Sequence, residues 1–221
     1  MLGERLLRIG LWLTLAAVAF QTVAHLSNEF LLDDRVEGLD ADIEANVFTW
    51  ASSVATFAVA VAAFLHAFVF SKGRREFGAL AALGVWFSLD DAIQLHERAA
   101  LELGEDVLGL PDYLAVRLWL VIYLPLLLVA GVLLWHVWQQ VWEPAGERVR
   151  LGLYLLVASV PVEIAGAGTR WLDEEGTSVP EDLRIALEEG LELGGWLLAA
   201  VGLTTAVVVA LMQYRPDPAL A

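Results

Sequence analysis

Six stretches of this chain, at about residues 6–30, 47–70, 77–103, 113–138, 149–172 and 181–212, are apolar enough to cross a lipid bilayer, and this limits the fold more than any motif does. A crossing helix needs about 20 predominantly apolar residues. Six of them joined by short connections use up the 221 residues. The expected fold is therefore all-α, a polytopic integral membrane protein forming one six-transmembrane-helix bundle over residues 1–221. Composition agrees, since 58% of the residues are hydrophobic, against about 45–50% in ordinary soluble domains. Arg5 and Arg8 precede the first apolar run as in a secretory leader. No small-residue cleavage pattern breaks the run before Ser27, so it reads as a retained anchor.

Basic residues set the orientation. Arg5, Arg8, Lys72, Arg74, Arg75, Arg148, Arg150 and Arg215 fall at one set of helix ends, leaving Arg35, Arg98, Arg117, Arg170 and Arg184 for the other. Both termini are thus expected in the cytoplasm, in a multi-pass protein of the cell's inner membrane. The formal net charge is −15, which argues against nucleic acid, whose phosphates need a basic surface. Small cations fit better, although acidic loops also serve solubility at high salt. The chain has no cysteine, which excludes disulfides, thiolate metal sites and cysteine nucleophiles. Its single lysine, Lys72, lies in a loop, so no span can form a retinal Schiff base.

The third span carries Asp90, Asp91, His96 and Glu97 in its second half. An ionisable group in hydrocarbon costs roughly 2.5–3.5 kcal/mol or more, so such residues point to function and to partners. Counted at about 1.5 Å per residue, Asp90, Glu163 and Glu192 fall at one height, roughly 20 Å above the cytoplasmic boundary. Three helices would each deliver a carboxylate to one layer. On the first span Thr14, Gln21, His25 and Glu29 form a stripe that should face protein.

Carboxylates crowded in this way need a cation or shared protons. The expected metal ligands are Asp90, His96, Glu97, Glu163, Glu188, Glu192 and His25, with Arg170 balancing charge and Asp91 and Glu189 as catalytic proton acceptors or outer-sphere groups. This donor set suits divalent ions, in the fullest form a dinuclear iron, manganese or zinc centre acting by hydrolysis or oxidation on a lipid-like substrate. Spacing argues the other way: His96 and Glu97 are adjacent, where dimetal carboxylate helices place Glu and His three apart, and no HExxH occurs.

Two other readings compete. A cation- or proton-coupled carrier or channel would use acids at mid-depth, yet the cytoplasmic half of every span is nearly bare of polar groups apart from His66, His136 and a few hydroxyls. A structural or accessory subunit, in a homo-oligomer or a larger membrane complex, would pair its acids with the outer arginines.

Overall fold

A computed structural model describes residues 2–33, 35–41, 46–111, 115, 118–169 and 179–213. Among the described residues there is no strand, and seven α-helices follow one another: α1 (Leu2–Leu32), α2 (Val47–Val69), α3 (Arg74–Ile93), α4 (Leu95–Glu102), α5 (Leu118–Trp138), α6 (Glu143–Thr169) and α7 (Val179–Gln213). Four of them, α1, α2, α5 and most of α7, are long and apolar enough to cross a membrane. The other two long helices are interrupted by charge. α3 opens with Arg74, Arg75 and Glu76 and closes on Asp90 and Asp91, and α6 opens with Glu143, Glu147, Arg148 and Arg150.

The expected continuous helix over 77–103 is broken at Gln94, which adopts a left-handed conformation (φ 56°, ψ 40°) between α3 and α4. A π-turn over Leu103–Val107 extends α4. Ahead of α2, Asn46 supplies the cap: its side-chain oxygen accepts from the backbone N–H of Phe48 and of Thr49, both at 2.7 Å.

α7 is the hub, packing against α6, α1 and α2, while α3 leans on α2 and α5 on α6. The main core gathers Val59 and Ala63 of α2, Phe77 and Leu80 of α3, Leu134 and Val137 of α5, Val149 and Leu153 of α6, and Leu193, Ala199 and Leu203 of α7. Small residues let α6 and α7 approach backbone to backbone. A Cβ at Gly152 would stand 2.5 Å from the carbonyl oxygen of Gly195, and one at Gly202 would stand 2.6 Å from that of Ala145. The Gly190 and Gly194 side of α7 instead meets Val18 of α1.

Polarity is distributed opposite to that of a soluble bundle. Trp12, Phe20, Trp50, Phe64, Phe68, Trp86, Val121, Leu128 and Val157 are exposed, whereas Thr14, Gln21, His25, Asn28, Ser52, Thr56, Asp90 and Thr205 are buried. Helices in water carry their apolar stripe inward. The α1 stripe expected from sequence is present at Thr14, Gln21 and His25, with Asn28 rather than Glu29 as its fully buried outer member.

Gly152→Val should destabilise the bundle by about 1–3 kcal/mol through overpacking. Gly78, with open space around its Cβ position, is the control: Gly78→Ala should stabilise by up to about 1 kcal/mol through helix propensity. Equilibrium unfolding in mixed micelles measures both.

Candidate functional site

The break at Gln94 creates the first polar cluster. Ending α3 there frees backbone N–H groups at the start of α4, and Asp90 turns back to take one of them. Its Oδ1 accepts from the backbone N–H of His96 at 3.0 Å and from the Tyr123 hydroxyl of α5 at 2.6 Å. Its Oδ2 lies 2.8 Å from His96 Nδ1. An ionised carboxylate only accepts, so His96 presents Nδ1–H to it. Tyr123 is further hydrogen-bonded to Trp86, and the His96 ring packs edge-on against Trp119 and Tyr123. Asp91, the next residue, points to another helix and accepts from Ser53 Oγ of α2 at 2.6 Å. Consecutive aspartates thus fasten α3 to α5 and to α2.

A second cluster joins α6 to α7. Arg184 donates to Glu181 at 2.8 Å, to Glu188 one turn on, and to the Val162 carbonyl at 3.4 Å. The Glu163 carboxyl of α6 lies within hydrogen-bonding reach of Glu188. Further along α7, Glu189 accepts from the Gln21 amide of α1 at 3.5 Å, and Glu192 from the Trp196 indole N–H at 3.4 Å.

The third cluster sits where the chain leaving α1 folds back on it. Asn28 Oδ1 accepts the backbone N–H of Val36 at 3.0 Å, and a 3-10 turn at Glu37–Leu39 returns Asp40 and Ala41 to His25. Ligand atoms of His25, Glu29 and Asp40 all lie within 4.8 Å of one another, and among the described residues this is the one group of three or more such side chains so arranged. His25 is 1% exposed, and its Nδ1 accepts the Ala41 N–H at 3.1 Å. The imidazole lone pair therefore sits on Nδ1, 3.9 Å from Asp40 Oδ1.

That separation fits a single ion. Zinc–nitrogen and zinc–oxygen bonds of about 2.1 Å each would span up to about 4.2 Å. One imidazole and two carboxylates suit zinc, manganese or iron. An ion on Nδ1 would displace the Ala41 N–H from that lone pair.

A family model described as Domain of unknown function (DUF8692) matches residues 10–207. The chain belongs to this family. No curated protein and no solved structure matches it.

In this DUF8692 member the expected site residues are spread over the three clusters. Asp90 and His96 meet each other, Glu163 meets Glu188, Glu189 meets Gln21, and Glu192 meets Trp196. Among the described residues, Glu97 is half-buried and makes no hydrogen bond or ion pair. Arg170 lies outside the described residues. Of the expected ligands, His25 alone belongs to the group with metal-binding spacing; its companion Glu29 was read from sequence as a stripe residue, and Asp40 was not singled out. The local pattern that placed Glu29 four residues after His25 was a usable signal. Nothing in the sequence announces that Asp40 returns to the same point.

Tyr123→Phe, which takes one donor from Asp90, should cost about 1–3 kcal/mol of stability. Glu97→Gln, with no such partner among the described residues, should stay within about 0.5 kcal/mol of the parent protein. The same unfolding measurement separates them.

Proposed function

We propose that the protein is an integral membrane protein that holds a divalent cation at its outer face through His25, Glu29 and Asp40. The observation that carries this is the convergence of three ligand atoms within 4.8 Å, with the histidine lone pair on the nitrogen nearest Asp40. When bound, the cation supplies Lewis acidity to water or to an oxygen of a substrate, and the reaction class that suits such a centre at a membrane surface is hydrolysis or oxidation of a lipid-like molecule. The chain's own part is to fix the imidazole tautomer and present two carboxylates.

Titration of the chelator-treated, full-length protein in micelles with manganese or zinc tests the reading. One equivalent should bind, with affinity falling on the order of 100-fold in Glu29→Gln and in Asp40→Asn. Unchanged affinity in both variants would overturn it. Loss of the ion in Glu163→Gln or Glu192→Gln would return the site to the acid layer of α6 and α7.

A second reading is favoured for the remaining acids: they hold the bundle together. Asp90, Asp91, Glu188, Glu189 and Glu192 each accept a hydrogen bond from another residue of the chain, as an accessory or assembly subunit would require. Conduction is less well supported, because His66 at the inner end of α2 is buried and stacked 3.6 Å from the Phe77 ring.

We place this bundle in the inner membrane with six crossings and both termini cytoplasmic. The exposed apolar residues on α3 and α6, such as Val85, Trp86, Leu151 and Val157, support counting those two as crossings as well. Because the chain lacks cysteine, single cysteines report cleanly. Glu37→Cys should react with an impermeant maleimide added outside intact cells, and Lys72→Cys only after lysis. The opposite pattern would invert the topology.

A further inference from the structure

The His25 ring meets the chain through only one of its two nitrogens. Nδ1 accepts the Ala41 N–H at 3.1 Å, so in the neutral ring the proton sits on Nε2. That Nε2 is buried and, among the described residues, has no hydrogen-bond partner in the chain. Gln21 Oε1 and Ser52 Oγ are in the same condition. The three residues are 1%, 2% and 4% exposed, and a buried polar group left unpaired is costly to the fold.

The fold brings the three together. Gln21 lies one turn before His25 on the buried stripe of α1, and helical side chains lean toward the N-terminus, which sets the imidazole on the Gln21 side. Positions four apart on a helix have Cβ atoms about 5–6 Å from one another. Ala24, Phe48 and Ile185 pack in one layer where α1, α2 and α7 meet. One turn deeper come Gln21 on α1, Ser52 on α2 and Glu189 on α7, and the Gln21 amide meets the Glu189 carboxylate at 3.5 Å.

Chemistry assigns the ends. An ionised carboxylate only accepts, so the Gln21 group facing Glu189 is its NH2, and its carbonyl oxygen is turned away from Glu189. One turn apart there remain a donor, His25 Nε2–H, and an acceptor, Gln21 Oε1, that do not bond each other directly. A molecule that both accepts and donates joins them, and the Ser52 hydroxyl supplies a third contact. Buried waters make about three hydrogen bonds to groups of this kind. We infer that Gln21 and Ser52 hold a buried water on His25 Nε2–H, which makes Gln21 a positioning residue for the His25 lone pair. A histidine that ligates a metal donates its second N–H to such a partner, which fixes the ring and strengthens the ligand. The positioning role rests on the cation-binding reading; the water site does not.

The test uses full-length, metal-free protein in micelles with isotopically labelled histidine, the His25 signals being identified by their loss in His25→Gln. Nuclear magnetic resonance should place the His25 proton on Nε2 and connect it to water by a cross-peak. In Gln21→Met, which keeps the side-chain length and removes the acceptor, that cross-peak should fall several-fold. Ser52→Ala, the milder change, should weaken it in the same direction. Zinc affinity should fall on the order of 10-fold in Gln21→Met, although His25, Glu29 and Asp40 are all intact. A His25 proton on Nδ1, no cross-peak to water in the parent protein, or a cross-peak unchanged in both variants would overturn the water site. Zinc affinity unchanged in Gln21→Met would overturn the positioning role. If the parent protein binds no zinc while the cross-peak responds to Gln21→Met, the cation reading fails and takes the positioning role with it, and the water site stands.

Discussion

Inside an apolar bundle a polar side chain can be satisfied only by the protein itself, and this requirement fixes how the helices of this chain meet. Packing alone is permissive, since lipid tails compete equally for leucine and valine surfaces. Hydrogen bonds between helices are not interchangeable in that way. Ser53 to Asp91 sets α2 against α3, Tyr123 to Asp90 sets α5 against the α3–α4 elbow, and Gln21 to Glu189 sets α1 against α7. Each such bond inside a membrane is worth roughly 0.6–2 kcal/mol. Several distributed over different helix pairs specify one arrangement among many that would bury similar apolar area.

The glycine contacts supply the other half of that specification. Gly152, Gly195 and Gly202 bring the backbones of α6 and α7 within reach of each other, so attraction between these two helices comes from close packing over a long seam. α1 and α6 diverge across α7, and among the described residues an open apolar groove lies between them. The Gly190 and Gly194 side of α7 makes its contact with α1 at Val18, while the tighter approach to α6 uses Gly195 and Gly202.

The long helices were legible because their signal is long: runs of apolar residues bounded by charge need no tertiary information. The buried stripe on α1 was legible for the same reason, through spacings of seven and four. What could not be read was the left-handed turn at Gln94. Glutamine is not a residue that marks such a turn, and the compensation comes from Asp90, four positions earlier, whose carboxylate accepts the His96 N–H. In a continuous helix His96 would diverge from Asp90 by 100° or more; with the break it lies 2.8 Å away. The triad of His25, Glu29 and Asp40 was hidden differently, because Asp40 reaches His25 through the fold of a connector and not through any period.

Two histidines in this chain each face an aspartate, and residue type alone would assign them the same role. Their protons differ. His96 directs Nδ1–H at the Asp90 carboxylate, an arrangement that is complete as a strut and orients the ring. His25 receives the Ala41 N–H on Nδ1, which lies 3.9 Å from Asp40 Oδ1 in the group whose ligand atoms converge within 4.8 Å. The distinction lies in a single backbone amide, which fixes the His25 lone pair on Nδ1, and of the two histidines His25 is the one in the group whose spacing could take a metal.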